Sequence, residues 1–189
     1  MLKTSGDLLR PDARFLNMVS GITDTGAIRF MDISDLLNLV RPLELHPETP
    51  AIIREQFDKA RHAFIYSWFS YDLATLAEQQ GYQVLEMALR EKLPPDEQFK
   101  AKEKRWGLDT LLKRATSHRW LNRADFEVHG PYGRNGKMCL LDMLPMFRNE
   151  LAHGSPNLFP GGALEMLRLC VEILNKLFAP PRAGLVDAD

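Results

Sequence analysis

From Phe57 to Leu93 the apolar residues keep a helical spacing. Phe57, Phe64, Trp68, Tyr71, Tyr82, Leu85, Leu89 and Leu93 recur in steps of three, four or their sums, the mark of one buried helix face. Thr49-Pro50 offers an N-cap and a proline at the first helical position, and no proline follows until Pro94-Pro95 stops the element. The pattern predicts one long bent helix over residues 50–93, roughly 60 Å from end to end at 1.5 Å per residue, in preference to two helices broken near Gly81. Thr75 and Glu78 fall in the phase of the apolar stripe. A carboxylate at a core position needs a partner, and Arg148 is the candidate. The bond either fixes helix register or orients a ligand. Glu86, one turn past Tyr82, flanks the stripe and is the lesser candidate.

The remaining pattern is shorter-ranged. Residues 1–49 are punctuated by Gly6, Pro11, Gly21, Gly26, Pro42 and Pro47 and read as an irregular arm packed on the main body. Within it Ile28-Arg29-Phe30 alternates like a strand after a turn at Asp24-Thr25-Gly26, and 35–40 reads as one or two helical turns. Residues 96–104 form a charged linker or exposed helix. Leu108, Leu111, Leu112 and Ala115 mark a helix within 107–120. A loop over 122–137 holds the glycine-rich run Gly130 to Gly136, which either clamps a single strand or is an ordinary surface loop. Pro145 is tolerable only in a first turn, so the next regular helix should begin near residues 142–144, with Leu144, Phe147 and Leu151 facing the core. A last helix over 162–178 carries Leu164, Leu167, Val171, Leu174 and Phe178, and Pro180-Pro181 ends it. Together these predict an all-α fold: an up-and-down bundle of four to five helices with one very long helix and an irregular N-terminal arm. The expected division is an arm at 1–49, a helical domain at 50–179 and a flexible tail at 180–189.

Composition narrows the class. A chain of 189 residues buries enough surface to fold without a metal or disulfide staple. Cys139 and Cys170 form no CxxC pair and read as buried small hydrophobes of a reducing compartment. No signal-peptide core opens the chain and no stretch has the length of a membrane span, so a cytoplasmic location is expected and no membrane partner. The net charge of −1 does not suggest a general nucleic-acid binder. Its distribution adds something: between Lys100 and Lys137 ten Lys or Arg face four acids. Lys113, Arg114, Arg134 and Lys137 are the candidate nucleic-acid contacts on this basic track, which reads equally as a solvated face.

The stretch with most chemistry is Phe147-Arg148-Asn149-Glu150-Leu151-Ala152-His153-Gly154. On an unbroken helix Arg148 and His153 would stand roughly 140° apart. A helix that ends at His153, with Gly154 in the left-handed C′ position and Ser155-Pro156-Asn157 beyond it, lets the imidazole swing back toward Arg148, with Asn149 nearby to orient a ligand. Arginine grips two phosphate oxygens in a fork, and histidine as a residue type titrates near neutrality and moves protons. The set suits a phosphodiester. The five histidines (46, 62, 118, 129 and 153) show no HxxxH or HExxH spacing, and GxxxxGK[ST] and GxSxG are absent, so no metal and no cofactor is expected.

Arg148-Asn149-x-x-Ala152-His153-Gly154 resembles the signature of the HEPN superfamily, and the helix from Phe64 through Gly81-Tyr82 to Arg90 is similar to the long helix of bacterial HEPN-like proteins. The resemblance covers roughly Pro50 to Phe178. It implies a metal-independent endoribonuclease of toxin–antitoxin or phage-defence type with Arg148, Asn149 and His153 as the catalytic set, supported by Glu78 and Glu86. The 2′-hydroxyl would attack the neighbouring phosphate, Arg148 would hold that phosphate, and His153 would move the proton. One chain supplies one such histidine, so a two-fold homodimer would supply both base and acid; HEPN nucleases are commonly dimers. The alternative is a non-catalytic helical dimer that binds RNA, a nucleotide, or an antitoxin or defence-system protein. There Arg148 pairs with Glu78, Asn149 bonds loop backbone and His153 satisfies helix C-terminal carbonyls.

Overall fold

A computed structural model describes residues 3–129, 136–153 and 160–180, and its elements largely follow the proline and glycine punctuation of the sequence. In chain order they are β1 (Val19–Ile22), β2 (Ile28–Phe30), α1 (Ile33–Val40), α2 (Ala51–Tyr66), α3 (Leu73–Lys92), α4 (Pro95–Glu103) and α5 (Leu108–Ser117). A 3-10 turn (Arg123–Phe126), β3 (Glu127–His129), β4 (Lys137–Cys139), α6 (Leu140–Ala152) and α7 (Pro160–Phe178) follow. The fold is mainly α. Two small antiparallel hairpins, β1–β2 and β3–β4, are additions to the all-α expectation. No helix among the described residues is long and apolar enough to cross a membrane. The expected turn at Gly154 to Asn157, the glycine-rich run at 130–135 and the tail from Pro181 lie outside the described residues.

The N-terminal segment is more regular than an arm. The β1–β2 turn needs Gly26, which adopts φ +81°, a conformation that side-chain-bearing residues resist. Asp32 then opens α1 through a capping box: its side chain accepts from the Ser34 and Asp35 N–H groups, and the Asp35 carboxylate accepts from the Asp32 N–H, so donors at the helix start are satisfied reciprocally.

The expected single helix over 50–93 is two helices. Neither break nor cap falls where the pattern put it. Pro50, not Thr49, is the N-cap of α2, and the buried Thr49 hydroxyl has no hydrogen-bond partner among the described residues. The chain turns between Tyr66 and Leu73 rather than at Gly81, and α3 folds back on α2, with Gln80 Nε2 donating to the Gln56 carbonyl at 3.3 Å. A residue far upstream explains the break. Asp12 donates its N–H to the Trp68 carbonyl at 2.7 Å and accepts the Tyr71 N–H on its carboxylate at 3.0 Å, so polar groups freed by the turn are satisfied. Arg14 in turn donates to both Asp12 oxygens at 3.0 Å and to Asp72 at 3.0 Å, and lies 4.2 Å from the Tyr71 ring centre. Phe15, fully buried, packs on Trp68 and Tyr71 with ring centroids 5.6 and 5.3 Å away. All eight stripe aromatics and leucines are buried, but on two helices and the turn between them.

Helix α3 is the central element, touching α2, α4, α5, α6 and α7. Its contact with α7 depends on Gly81: a Cβ built there would lie 3.1 Å from Leu167 Cδ2 and 3.4 Å from Cys170 Sγ. Gly81 therefore marks a close approach rather than a helix break. The charged residues 96–104 form α4, started by Pro95 in its first turn with Asp96 and Glu97 beside it, which complements the helix dipole. Helix α6 begins at Leu140, earlier than Pro145 suggested, and carries the proline inside it. Proline at 145 removes one intrahelical bond, that to the Leu141 carbonyl.

Two outcomes follow from this packing. Gly81→Val should destabilise by about 1–3 kcal/mol in urea titration, since its extra methyl groups have no room, whereas Gly81→Ala should stay within about 1 kcal/mol of wild type because helix propensity offsets the crowding. Asp12→Asn should cost about 1–3 kcal/mol at neutral pH, the loss of charge-assisted bonds. The hydrogen bonds from Arg14 hold the Asp12 carboxyl well below the usual carboxylate range. Its stabilisation is thus complete above the unfolded value of about 4 and lost as pH falls toward the folded one. The gap between wild type and Asp12→Asn, measured by denaturation, should narrow from about pH 5 downward.

Candidate functional site

The motif residues occupy the last turns of α6. Leu141, Leu144 and Leu151 are buried, and the step from Leu144 to Arg148 to Leu151 places the arginine in phase with them. Position 148 is therefore a core-facing position filled by a cation. Its stem lies against α3 in a small pocket with Gln79, Gln83 and Glu86, and Nε stands 3.3 Å from Glu86 Oε1. The Arg148 side chain is 43% exposed and that of Glu86 18% exposed. A long side chain on a stripe can cover apolar surface and still keep its charge in water.

The expected Glu78–Arg148 pair is not made; Glu86 takes the place. Glu78 and Glu86 are eight residues apart on α3, about 12 Å along the axis, too far for both to meet one guanidinium. Arg90 adds to the Glu86 side, 3.8 Å from its carboxylate, and donates to the Ala101 carbonyl at 3.4 Å and to the Trp106 carbonyl. Glu86 thus lies between two arginines, one of which ties α3 to the α4–α5 junction.

His153 is the C-cap of α6, its backbone N–H donating to the carbonyls of Asn149 and Leu151. Asn149 and His153 are exposed, and neither side chain makes a hydrogen bond or ion pair among the described residues. Phe147, expected in the core, is 37% exposed and lines a larger cavity.

The expected nucleic-acid contacts are dispersed. Lys113 pairs with Asp109 at 2.7 Å. Arg114 lies 3.8 Å from Glu97 and 5.1 Å from the Trp106 ring centre. Lys137 pairs with Glu127 at 2.8 Å across β3–β4, and Arg134 lies outside the described residues. Lys113 is felt by Asp142 in the first turn of α6, roughly 9 and 16 Å along the helix from Arg148 and His153. Each described cation of this group has an acidic neighbour, whereas Lys102, Lys104, Arg105 and Arg119 of the same track make no ion pair among the described residues.

Glu150, Arg168 and Glu172 were given no role in the sequence reading, and Tyr82 only that of a core aromatic. A cavity of about 600 Å³ lies between α3, α6 and α7, lined by Glu78, Tyr82, Phe147, Glu150, Arg168 and Glu172 among others. Tyr82, a core aromatic by its spacing, is 2% exposed, yet its hydroxyl has no hydrogen-bond partner among the described residues. Burial, then the charge of Glu78, pushes its phenol pKa up; burial also raises that of Glu78. The available signal on α7 was the i, i+3, i+7 spacing of Glu165, Arg168 and Glu172. No three His, Cys, Asp or Glu side chains among the described residues are grouped closely enough to hold a metal ion.

No protein family, curated protein or solved structure matches this chain.

Because Arg148 keeps much of its head in water, its pair with Glu86 should be weak. A double-mutant cycle with Glu86→Gln and Arg148→Met, read by urea denaturation, should give a coupling of about 0.2–1 kcal/mol that shrinks on adding salt.

Proposed function

We propose that the chain is a metal-independent endoribonuclease of HEPN type, acting as a cytoplasmic homodimer in a toxin–antitoxin or phage-defence setting. In this reading residues 50–179 are an up-and-down helical bundle dressed by the N-terminal arm. The observation that carries it is the exposure of Arg148, Asn149 and His153 on the last turns of α6, with the Asn149 and His153 side chains uncommitted and Arg148 steadied by Glu86. A phosphate on Arg148 would meet a fixed guanidinium edge with nitrogens to spare. His153 would take or give the 2′-hydroxyl or leaving-group proton, and its counterpart in the second chain would perform the complementary transfer. Glu86 orients Arg148 here, in place of Glu78.

One observation favours the second reading, a non-catalytic dimer that binds RNA, a nucleotide or a protein partner. Arg148 already has an acidic neighbour, and such pairs hold helices together without chemistry. Cleavage of a mixed single-stranded RNA in EDTA separates the two. Wild type should cut; His153→Ala and Arg148→Ala, shown by circular dichroism and sedimentation to stay folded and dimeric, should be slower by about 100-fold or more, the usual worth of positioned acid–base catalysis. No cutting by wild type, or equal cutting by all three, would replace the nuclease with the binding module.

A further inference from the structure

A second cavity, of about 560 Å³, lies where the last turns of α3 meet α4. Arg90, Lys102 and Arg105 line it against one carboxylate, Glu91, and Met87 and Ala101 add apolar surface. The cations are held differently. Arg90 is fixed: it donates to the Ala101 carbonyl at 3.4 Å and to the Trp106 carbonyl, which uses two of the five N–H donors of a guanidinium. Its acidic neighbour Glu86, 3.8 Å away, does not line the cavity. The side chains of Lys102 and Arg105 make no ion pair or hydrogen bond among the described residues. Arg105 adds an independent observation. It follows the C-cap of α4, Lys104, with φ +49°. Its N–H donates to the Lys102 carbonyl at 3.4 Å and the Trp106 N–H to the Ala101 carbonyl at 3.0 Å, the paired bonds of a helix end that glycine ordinarily makes. A side chain in the left-handed region carries a cost that glycine avoids, and such strain gathers where a side chain serves a function. Arg119, just past α5 at φ +59°, is the other non-glycine residue of this kind among the described ones and does not line the cavity.

We propose that this cavity binds a small organic phosphate monoester. Three cations against one carboxylate leave an excess of two positive charges, and a monoester carries about −1.5 to −2 at neutral pH. A carboxylate, or a single diester of a nucleic-acid strand, brings one charge and matches less well. Arginine forks suit phosphate oxygens, with lysine as a point charge. The phosphate takes donors from Arg90, Lys102 and Arg105, while the organic body lies against Met87 and Ala101. The volume, about 560 Å³, is within the range of small-molecule pockets. An arginine in place of glycine at position 105 then has a reason, because glycine would bring no charge to the phosphate. This inference does not depend on RNA cleavage: the cavity shares no lining residue with the pocket of Arg148.

Isothermal titration of the full chain with adenosine 5′-monophosphate, adenosine and the 2′-O-methyl dinucleotide of adenosine without terminal phosphate tests it. The first two share a body, and the third offers one diester that a 2′-hydroxyl cannot cleave. The monophosphate should bind at least about tenfold more tightly than either, the worth of one charge-assisted hydrogen bond, and should weaken as salt is added. Lys102→Gln and Arg105→Gly should each weaken the monophosphate by about tenfold and leave adenosine unchanged. Arg105→Gly should also keep or raise the melting temperature, since glycine suits the left-handed position. Arg119→Gly is the control: it gives the same backbone relief and removes the same charge outside the cavity, so affinity should stay within about twofold. Circular dichroism melts establish that all three variants fold. No binding of the monophosphate, equal binding of monophosphate and adenosine, tighter binding of the dinucleotide, or equal losses in Arg105→Gly and Arg119→Gly would overturn the proposal.

Discussion

Helices α3 and α7 meet where Gly81 has no side chain, and most of the architecture depends on that contact. Leu167 and Cys170 rest against the α3 backbone, closer than two helices bearing larger residues could come. The thiol of Cys170 is fully buried there, and burial pushes its pKa up, so it behaves as a small apolar group rather than a nucleophile. With α7 held on one side of α3 and α6 on another, Glu78, about one turn before Gly81, and Tyr82, the residue after it, line the space between the two.

The two carboxylates of α3 show how position on one helix separates chemical roles. Glu86 faces the end of α6 and meets Arg148, with Arg90 behind it. Glu78, two turns earlier, faces the α7 side and meets no cation. Desolvation without compensation raises its pKa; the neighbouring tyrosine and cysteine are shifted by its charge in the same direction as by their burial. The same helix therefore carries one acid paired with a partly exposed arginine and one acid with no cation paired to it among the described residues.

The N-terminal segment contributes order rather than chemistry. Asp12, Arg14 and Phe15 occupy the turn between α2 and α3, and their bonds replace those that a continuous helix would have made. Without that turn α3 could not fold back along α2, and its outer faces would not be presented to α6 and α7. A contact 59 residues distant in sequence thus helps to set the geometry of a site to which it contributes no side chain.

What the sequence by itself determined is the material of the fold. Helical spacing picked out buried residues of α2, α3 and α5, because a side chain's phase on a helix is a local property; on α7 it found Leu164, Leu167 and Leu174, whereas the expected Val171 and Phe178 are only half-buried and Cys170, Ile173 and Leu177 take the core. It also picked out β2, the proline stop after α3, and Arg148 and His153 near the end of α6. Only the tertiary structure decided where the helices turn and who meets whom. The break at residues 67–72 is stabilised by Asp12 rather than by any local breaker, and Gly81 is explained by Leu167 and Cys170 instead of by a kink. The partner of Arg148 is Glu86, the lesser candidate of the spacing, rather than Glu78. Spacing put Glu78 in phase with the apolar stripe and Glu86 beside it, but which of them meets a cation was decided by where α6 and α7 pack on α3. Tyr82 is the clearest case: its spacing shows that it is buried, but an unpartnered hydroxyl is a property of everything around it.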